Sequence, residues 1–141
     1  MSHWRDVFLD KIVAMPKLKR VLIEVFSDKQ MEIDPEDVAI IGDITEFPAN
    51  KRIVCDVSLC EHEFRFMISI YIVDEQLMTE QDHEVVSKIC SKLNCRALVE
   101  DVNVIATNLM YLVHPSGHHE HFTVKNSEKL EGMHIGASYF S

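Results

Sequence analysis

Two stretches of alternating apolar residues constrain the fold more than any other feature of this sequence. Apolar side chains occupy every second position, at Ile53, Cys55, Val57 and Leu59 in the first stretch and at Phe64, Phe66, Ile68, Ile70 and Ile72 in the second. A period of two places these side chains on one face of a β-strand. Because the polar residues 60–63 separate the stretches, we predict two paired strands joined by a turn.

The N-terminal part of the chain, residues 1–27, is predicted to be helical. Apolar residues from Trp4 to Met15 nearly follow a 3.6-residue stripe, which predicts a helix over 3–15 that ends at Pro16. The spacing from Leu18 to Phe26 favours a second short helix, although alternating residues in this stretch are also compatible with a strand. The turn-forming run 34–37 then precedes an apolar stretch, 38–44, that predicts a strand.

The second half of the chain combines one helix with further strands. Thr79 followed by Asp82 matches the start of a helix, which we place over 79–93. A short strand is predicted over 95–99, followed by a long hairpin, 104–113 and 119–125, that turns at residues 114–118.

This order of elements predicts an α+β fold, a mainly antiparallel sheet with helices packed on one face. The 141 residues correspond to one globular domain. Its sheet would span 38–125 and include the helix 79–93, and residues 126–141 would form a C-terminal tail that either adds an edge strand or hangs free.

The charge of the chain indicates which kinds of molecule it can bind. Its 14 basic and 23 acidic residues give a net charge of −9. Nucleic-acid binding requires a concentrated positive surface, so we expect no nucleic-acid partner. No run of residues matches a signal peptide or a membrane span, and we expect a cytoplasmic protein without a membrane partner. An acidic surface favours a basic protein partner.

The four cysteines form two pairs, Cys55 with Cys60 and Cys90 with Cys95, and each pair encloses four residues. This spacing matches neither a CxxC redox motif nor usual zinc-ligand spacing. We interpret each cysteine as a small buried apolar residue in a reducing cytosol, with a metal or disulfide role as the alternative.

Sequence motifs for catalysis are not found. The chain contains no GxSxG turn and no glycine-framed cysteine, and its four glycines do not fall at the spacing of a phosphate-binding loop. We therefore expect a protein that is not an enzyme and that needs no cofactor.

Histidines cluster near the predicted hairpin turn and could be metal ligands. His119 and His121 would point to one face of a strand, and His114 could reach them across the turn. The alternative is a solvated hairpin tip whose histidines have no metal-binding role.

Two groups of acidic residues are candidate docking sites for a cationic partner. The first comprises Asp34, Glu36 and Asp37, and the second comprises Asp74, Glu75 and Asp82. Such clusters act mainly on association rate and specificity. The alternative is that they only interact with water and, for Asp82, with the N-terminus of a helix.

The order and character of residues 15–125 resemble the small acidic immunity proteins that bacteria encode beside polymorphic or contact-dependent toxins. The resemblance rests on four stretches: Met15-Pro16-Lys17-Leu18-Lys19 through Phe26, Asp37-Val38 to Phe47-Pro48, Leu93-Asn94-Cys95 to Asp101, and Tyr111-Leu112-Val113 to Ser116-Gly117. It implies a binding function, in which a rigid acidic protein occludes the active site of a toxin, often a basic nuclease.

Three functional hypotheses follow. The first is an immunity or antitoxin-like protein that binds and neutralises a toxin. The second is another protein-interaction module or a structural subunit. The third is a metal-dependent enzyme that uses the hairpin histidines.

Overall fold

The structure is a computed structural model that describes residues 2–27, 32–42, 48–61, 63–73, 77, 82–100 and 109–123. Within these residues the chain forms two helices and one seven-stranded sheet, which is an α+β fold. The elements in chain order are β1 (Ser2–Leu9), α1 (Met15–Phe26), β2 (Val38–Ile41), β3 (Ile53–Leu59), β4 (Phe66–Ile72), α2 (Asp82–Leu93), β5 (Ala97–Glu100), β6 (Leu109–Val113) and β7 (His119–Thr123).

The sheet is mostly antiparallel, as predicted. Its strand order is β2-β3-β4-β1-β5-β6-β7, and only the β2–β3 pair is parallel among the described strands. The two strands predicted from the alternating stretches are confirmed, and they pair from Ile53 opposite Ile72 to Leu59 opposite Phe66.

The prediction of a helix over 3–15 is wrong, and with it the description of 1–27 as entirely helical. Residues 2–9 form β1, the central strand of the sheet, which pairs with β4 on one side and with β5 on the other. Val7 and Leu9 are completely buried. Hydrogen bonding and burial on both sides of the strand outweigh the weak helical periodicity of its sequence.

The second N-terminal helix is confirmed as α1, but Pro16 lies in the first turn of this helix and does not end an earlier one. Proline is tolerated in the first helical turn, where its missing N–H has no intrahelical partner. One face of α1 is buried, comprising Leu18, Val21, Leu22, Val25 and Phe26.

Both helices contribute to the hydrophobic core, and they contact each other. The core contains the buried faces of α1 and α2 together with alternate strand residues such as Leu9, Ile68 and Ile70. The placement of both helices on one face of the sheet stays a prediction.

The other elements agree with their predicted positions, with shifted ends. The strand predicted over 38–44 ends at Ile41, and the hairpin strands run over 109–113 and 119–123. Helix α2 begins at Asp82, and residues 79–81 of its predicted range lie outside the described residues, as do 101–108 and the tail 126–141.

Neither helix in the described part of the chain is long and apolar enough to span a lipid bilayer. All four cysteines are free thiols, and three of them are buried, namely Cys55, Cys90 and Cys95. Cys60 is half-buried.

Candidate functional site

A row of polar side chains crosses the middle of the sheet. Asp56 on β3 lies opposite Ser69 on β4, and Ser69 lies opposite Asp6 on β1. Side chains of directly opposed residues project from the same face, and the backbones of β3 and β1 are about 10 Å apart, so the two aspartates flank the serine. Tyr71, two residues after Ser69 on β4, projects from this face as well. We call these four residues the Asp6–Tyr71 surface.

The centre of this surface is held in a fixed geometry. The Ser69 hydroxyl donates a hydrogen bond of 2.7 Å to the Asp6 carboxylate. Ser69 is the only polar residue among the buried ones that the structure describes, with 5% of its surface exposed. Asp6, Asp56 and Tyr71 are half-buried, and each makes further interactions within the chain.

Burial and both carboxylates raise the pKa of the Tyr71 phenol. Burial raises the pKa of the Tyr71 phenol, and the negative charges of Asp6 and Asp56 raise this pKa further. The phenol therefore stays protonated at neutral pH. Carboxylates bind the guanidinium and ammonium groups of basic residues strongly.

The next row of the same face contains Ser58 on β3 and two apolar residues. Phe8 on β1 lies opposite Met67 on β4, and both are half-buried. Charged groups beside partly exposed aromatic and methionine side chains are typical of protein interfaces. Sequence reasoning missed this surface, because residues 3–15 were assigned to a helix and Asp6 could not be aligned with Ser69. The outward positions of Asp56, Ser69 and Tyr71 in alternating strands were the available signal.

The first predicted acidic group lies beside the start of β2. Asp34 and Glu36 are exposed, whereas Asp37 is half-buried and accepts a 2.9 Å hydrogen bond from the backbone N–H of Asp34. Arg52 Nη1 lies 3.7 Å from the Asp37 carboxylate, and Lys51 donates a 2.7 Å hydrogen bond to the Glu36 carbonyl. Asp37 is thus engaged in local structure, and two basic residues reduce the negative potential of this group.

The second predicted acidic group can be located only in part. Asp74 and Glu75 lie outside the described residues. Asp82 is the first residue of α2, and its side chain also lies outside what the structure describes. The docking role of these three residues stays a prediction.

The structure divides the three candidate metal ligands into two places. His119 and His121 project from one face of β7, as predicted, and their rings lie 5.6 and 4.1 Å from the ring of Tyr111. His114 lies instead against Glu120, with 3.1 Å between Nε2 and Oε1. Within the described ranges, no group of three or more His, Cys, Asp or Glu side chains is arranged to hold a metal ion.

The turn that carries these histidines has the predicted form. The backbone N–H of His114 donates to the carbonyl of His118 at 2.8 Å, and that of Gly117 donates to the carbonyl of His114 at 3.0 Å. Gly117 has a φ of 91°, which an L-residue with a side chain rarely adopts. The hairpin therefore depends on glycine at this position.

Comparisons of the chain with protein-family models, curated proteins and solved structures found no match.

Proposed function

We propose that this chain is an immunity-like binding protein that neutralises a basic toxin or effector in the cytoplasm by occluding its functional surface. The observation that carries the proposal is the Asp6–Tyr71 surface, where two carboxylates and a protonated phenol project from three adjacent strands. The net charge of −9 also supports this proposal, because it attracts a basic partner over a long range.

A central sheet face suits this task because its geometry is formed before binding. The serine hydrogen bond fixes one carboxylate, and the paired strands fix the spacing of the other. Groups that are already ordered lose little conformational entropy when a partner binds, so more of the contact energy remains as affinity. The neighbouring pair Phe8 and Met67 would supply the apolar part of the contact.

The exposed residues Asp34 and Glu36 would contribute mainly to the approach of the partner. Exposed charges influence the association rate and its salt dependence more than they influence the lifetime of the complex. We assign the same steering role to the second acidic group, Asp74, Glu75 and Asp82.

The first test is capture of the partner from native lysate at low and at moderate salt, followed by a neutralisation assay. We expect a basic protein that is toxic when expressed alone in a host cell and harmless when it is co-expressed with this chain. A captured protein whose activity is unchanged by this chain would contradict the proposal.

The second test locates the binding surface. The double variant Asp6→Asn, Asp56→Asn should bind the purified toxin with faster dissociation and reduced salt dependence in surface plasmon resonance. The control, Glu61→Gln with Glu63→Gln, removes the same number of charges from the exposed β3–β4 turn and should keep the dissociation rate. Equal dissociation rates for the two double variants would refute docking at the Asp6–Tyr71 surface.

A further inference from the structure

The end of α2 brings Cys90 and Cys95 together. Asn94 has a φ of 53°, in the left-handed region, and reverses the direction of the chain after Leu93. The backbone N–H of Cys95 then donates a hydrogen bond of 3.1 Å to the carbonyl of Cys90. This is the six-residue loop of a Schellman motif, in which the side chains of the first and last residues pack against each other.

Both cysteines are buried, and their thiols influence each other. Cys90 is completely buried, and 4% of the Cys95 surface is exposed. The hydrogen bond from the Cys90 thiol lowers the pKa of Cys95, although burial and the charge of Asp10 oppose this effect. The same hydrogen bond raises the pKa of Cys90, and burial raises it further. Cys95 is thus the better nucleophile, and Cys90 is the proton donor.

Positive charges near the helix end support this division of roles. Lys11 Nζ donates a hydrogen bond of 3.2 Å to the carbonyl of Leu93, in the turn that joins the two cysteines. The charges of Lys11 and Lys17 both lower the pKa of Cys95. Cys55 is the opposite case, because burial and the charge of Asp56 raise the pKa of its thiol.

We propose that Cys90 and Cys95 form a redox-active dithiol that a hydroperoxide oxidises to an intramolecular disulfide. This modification site is separate from the Asp6–Tyr71 surface and does not depend on the proposed function. The turn at Asn94 places the two residues at the ends of one hydrogen-bonded loop, and a disulfide requires such proximity of two cysteines.

The reaction proceeds in two steps. The Cys95 thiolate attacks one peroxide oxygen, the O–O bond breaks, and the other oxygen leaves as hydroxide or alkoxide, which takes up a proton. Cys95 is then a sulfenic acid. Cys90 loses its proton and attacks the Cys95 sulfur, the S–O bond breaks, and the oxygen leaves as water. Two thiols and one hydroperoxide thus give one disulfide, one water and one further water or alcohol.

Access for the oxidant comes from the position of Cys95 in the short connection between α2 and β5. Asn94 is exposed, and Arg96 is half-buried. The last turn of a helix opens more easily than the interior of the sheet, so brief local opening of this turn exposes the Cys95 sulfur while the strands remain paired.

The test uses the full reduced chain and hydrogen peroxide, followed by alkylation of the remaining thiols in denaturant and peptide mass analysis. We expect a peptide pair joined through Cys90 and Cys95, with a mass lowered by two hydrogens and restored by dithiothreitol. Cys55 should be alkylated as a free thiol. Recovery of both Cys90 and Cys95 as alkylated thiols, while Cys60 is oxidised or links two chains, would overturn the proposal.

Two single variants separate the roles of the sulfurs. Cys90→Ser should accumulate a sulfenic acid at Cys95, which dimedone traps, because the resolving thiol is missing. Cys95→Ser should give no dimedone adduct at Cys90. The control Cys55→Ser, which changes another buried thiol, should form the disulfide as the wild type does. Because the wild-type peptide map needs no variant, a variant that fails to fold does not remove the test. Dimedone adducts at Cys90 in place of Cys95 would contradict the assignment of the nucleophile.

Discussion

Asp10 links the end of β1 to the start of β5 through hydrogen bonds. Replacing Asp10 with alanine should lower the free energy of unfolding far more than the loss of an ordinary surface ion pair would. Its carboxylate accepts a 2.9 Å hydrogen bond from the Arg96 backbone N–H and another of 2.9 Å from Arg96 Nε. The Asp10 backbone N–H donates to the Arg96 carbonyl at 3.1 Å, and the Arg96 guanidinium lies 5.2 Å from the ring centroid of the buried Phe64.

The expected loss follows from these contacts. A hydrogen bond to a charged group contributes about 1.5–3 kcal/mol, and an ion pair near the surface adds about 0.2–1 kcal/mol. The side chains of Arg96 and Asp10 are 40% and 22% exposed, so water replaces part of each bond in the variant. We therefore expect Asp10→Ala to lower the free energy of unfolding by about 2–3 kcal/mol.

The matched control is an exposed ion pair between the two helices. Lys92 Nζ lies 3.0 Å from the Glu24 carboxylate, and the two side chains are 41% and 48% exposed. Glu24→Ala should change the free energy of unfolding by less than about 1 kcal/mol. The free energy of unfolding of both variants is measured by urea denaturation followed by circular dichroism. If its slope against urea concentration is the same for both variants, the unfolded state is unchanged. A loss for Asp10→Ala no greater than that for Glu24→Ala would refute the reasoning.

Three further changes test the site, the thiols and the hairpin. Asp6→Asn removes a charge that raises the pKa of Tyr71, so this phenol should ionise at lower pH, as read from tyrosinate absorbance with Tyr71→Phe as the reference. Lys17→Gln removes a charge that lowers the pKa of Cys95, so the midpoint of iodoacetamide alkylation of this thiol should move to higher pH. Gly117→Ala should destabilise the chain by about 1–2 kcal/mol in urea unfolding, because φ is +91° and its Cβ would lie 3.2 Å from a side-chain oxygen of α2.

The strands that were predicted correctly are those that can be recognised from a short stretch of sequence. In β3 and β4, apolar residues that face the core alternate with positions that include the polar residues Asp56 and Ser69, so the period of two is visible in a short stretch of sequence. The hairpin of β6 and β7 was predictable for a similar reason, because its turn carries Pro115 and Gly117 between two strand-like segments.

The central strand lacked such a pattern. Val7, Phe8 and Leu9 are consecutive apolar residues, and a short apolar run fits a buried strand and a helix face equally well. What decides between them is the pairing of β1 with β4 and β5, which are distant in sequence. No local pattern contains this information, so periodicity alone led to the wrong element.

That one error also concealed the Asp6–Tyr71 surface. Asp6 joins this surface only when β1 lies beside β4, because Ser69 and Asp56 come from strands far along the chain. Asp10, just beyond the same strand, raises the pKa of Cys95, and Lys11 anchors the turn that holds the dithiol. A spacing of four residues between cysteines suggests no motif until a left-handed Asn94 closes the loop. The Asp6–Tyr71 surface therefore depends on the long-range pairing of β1, whereas the turn that joins Cys90 to Cys95 closes locally and receives only its charged neighbours from the end of β1.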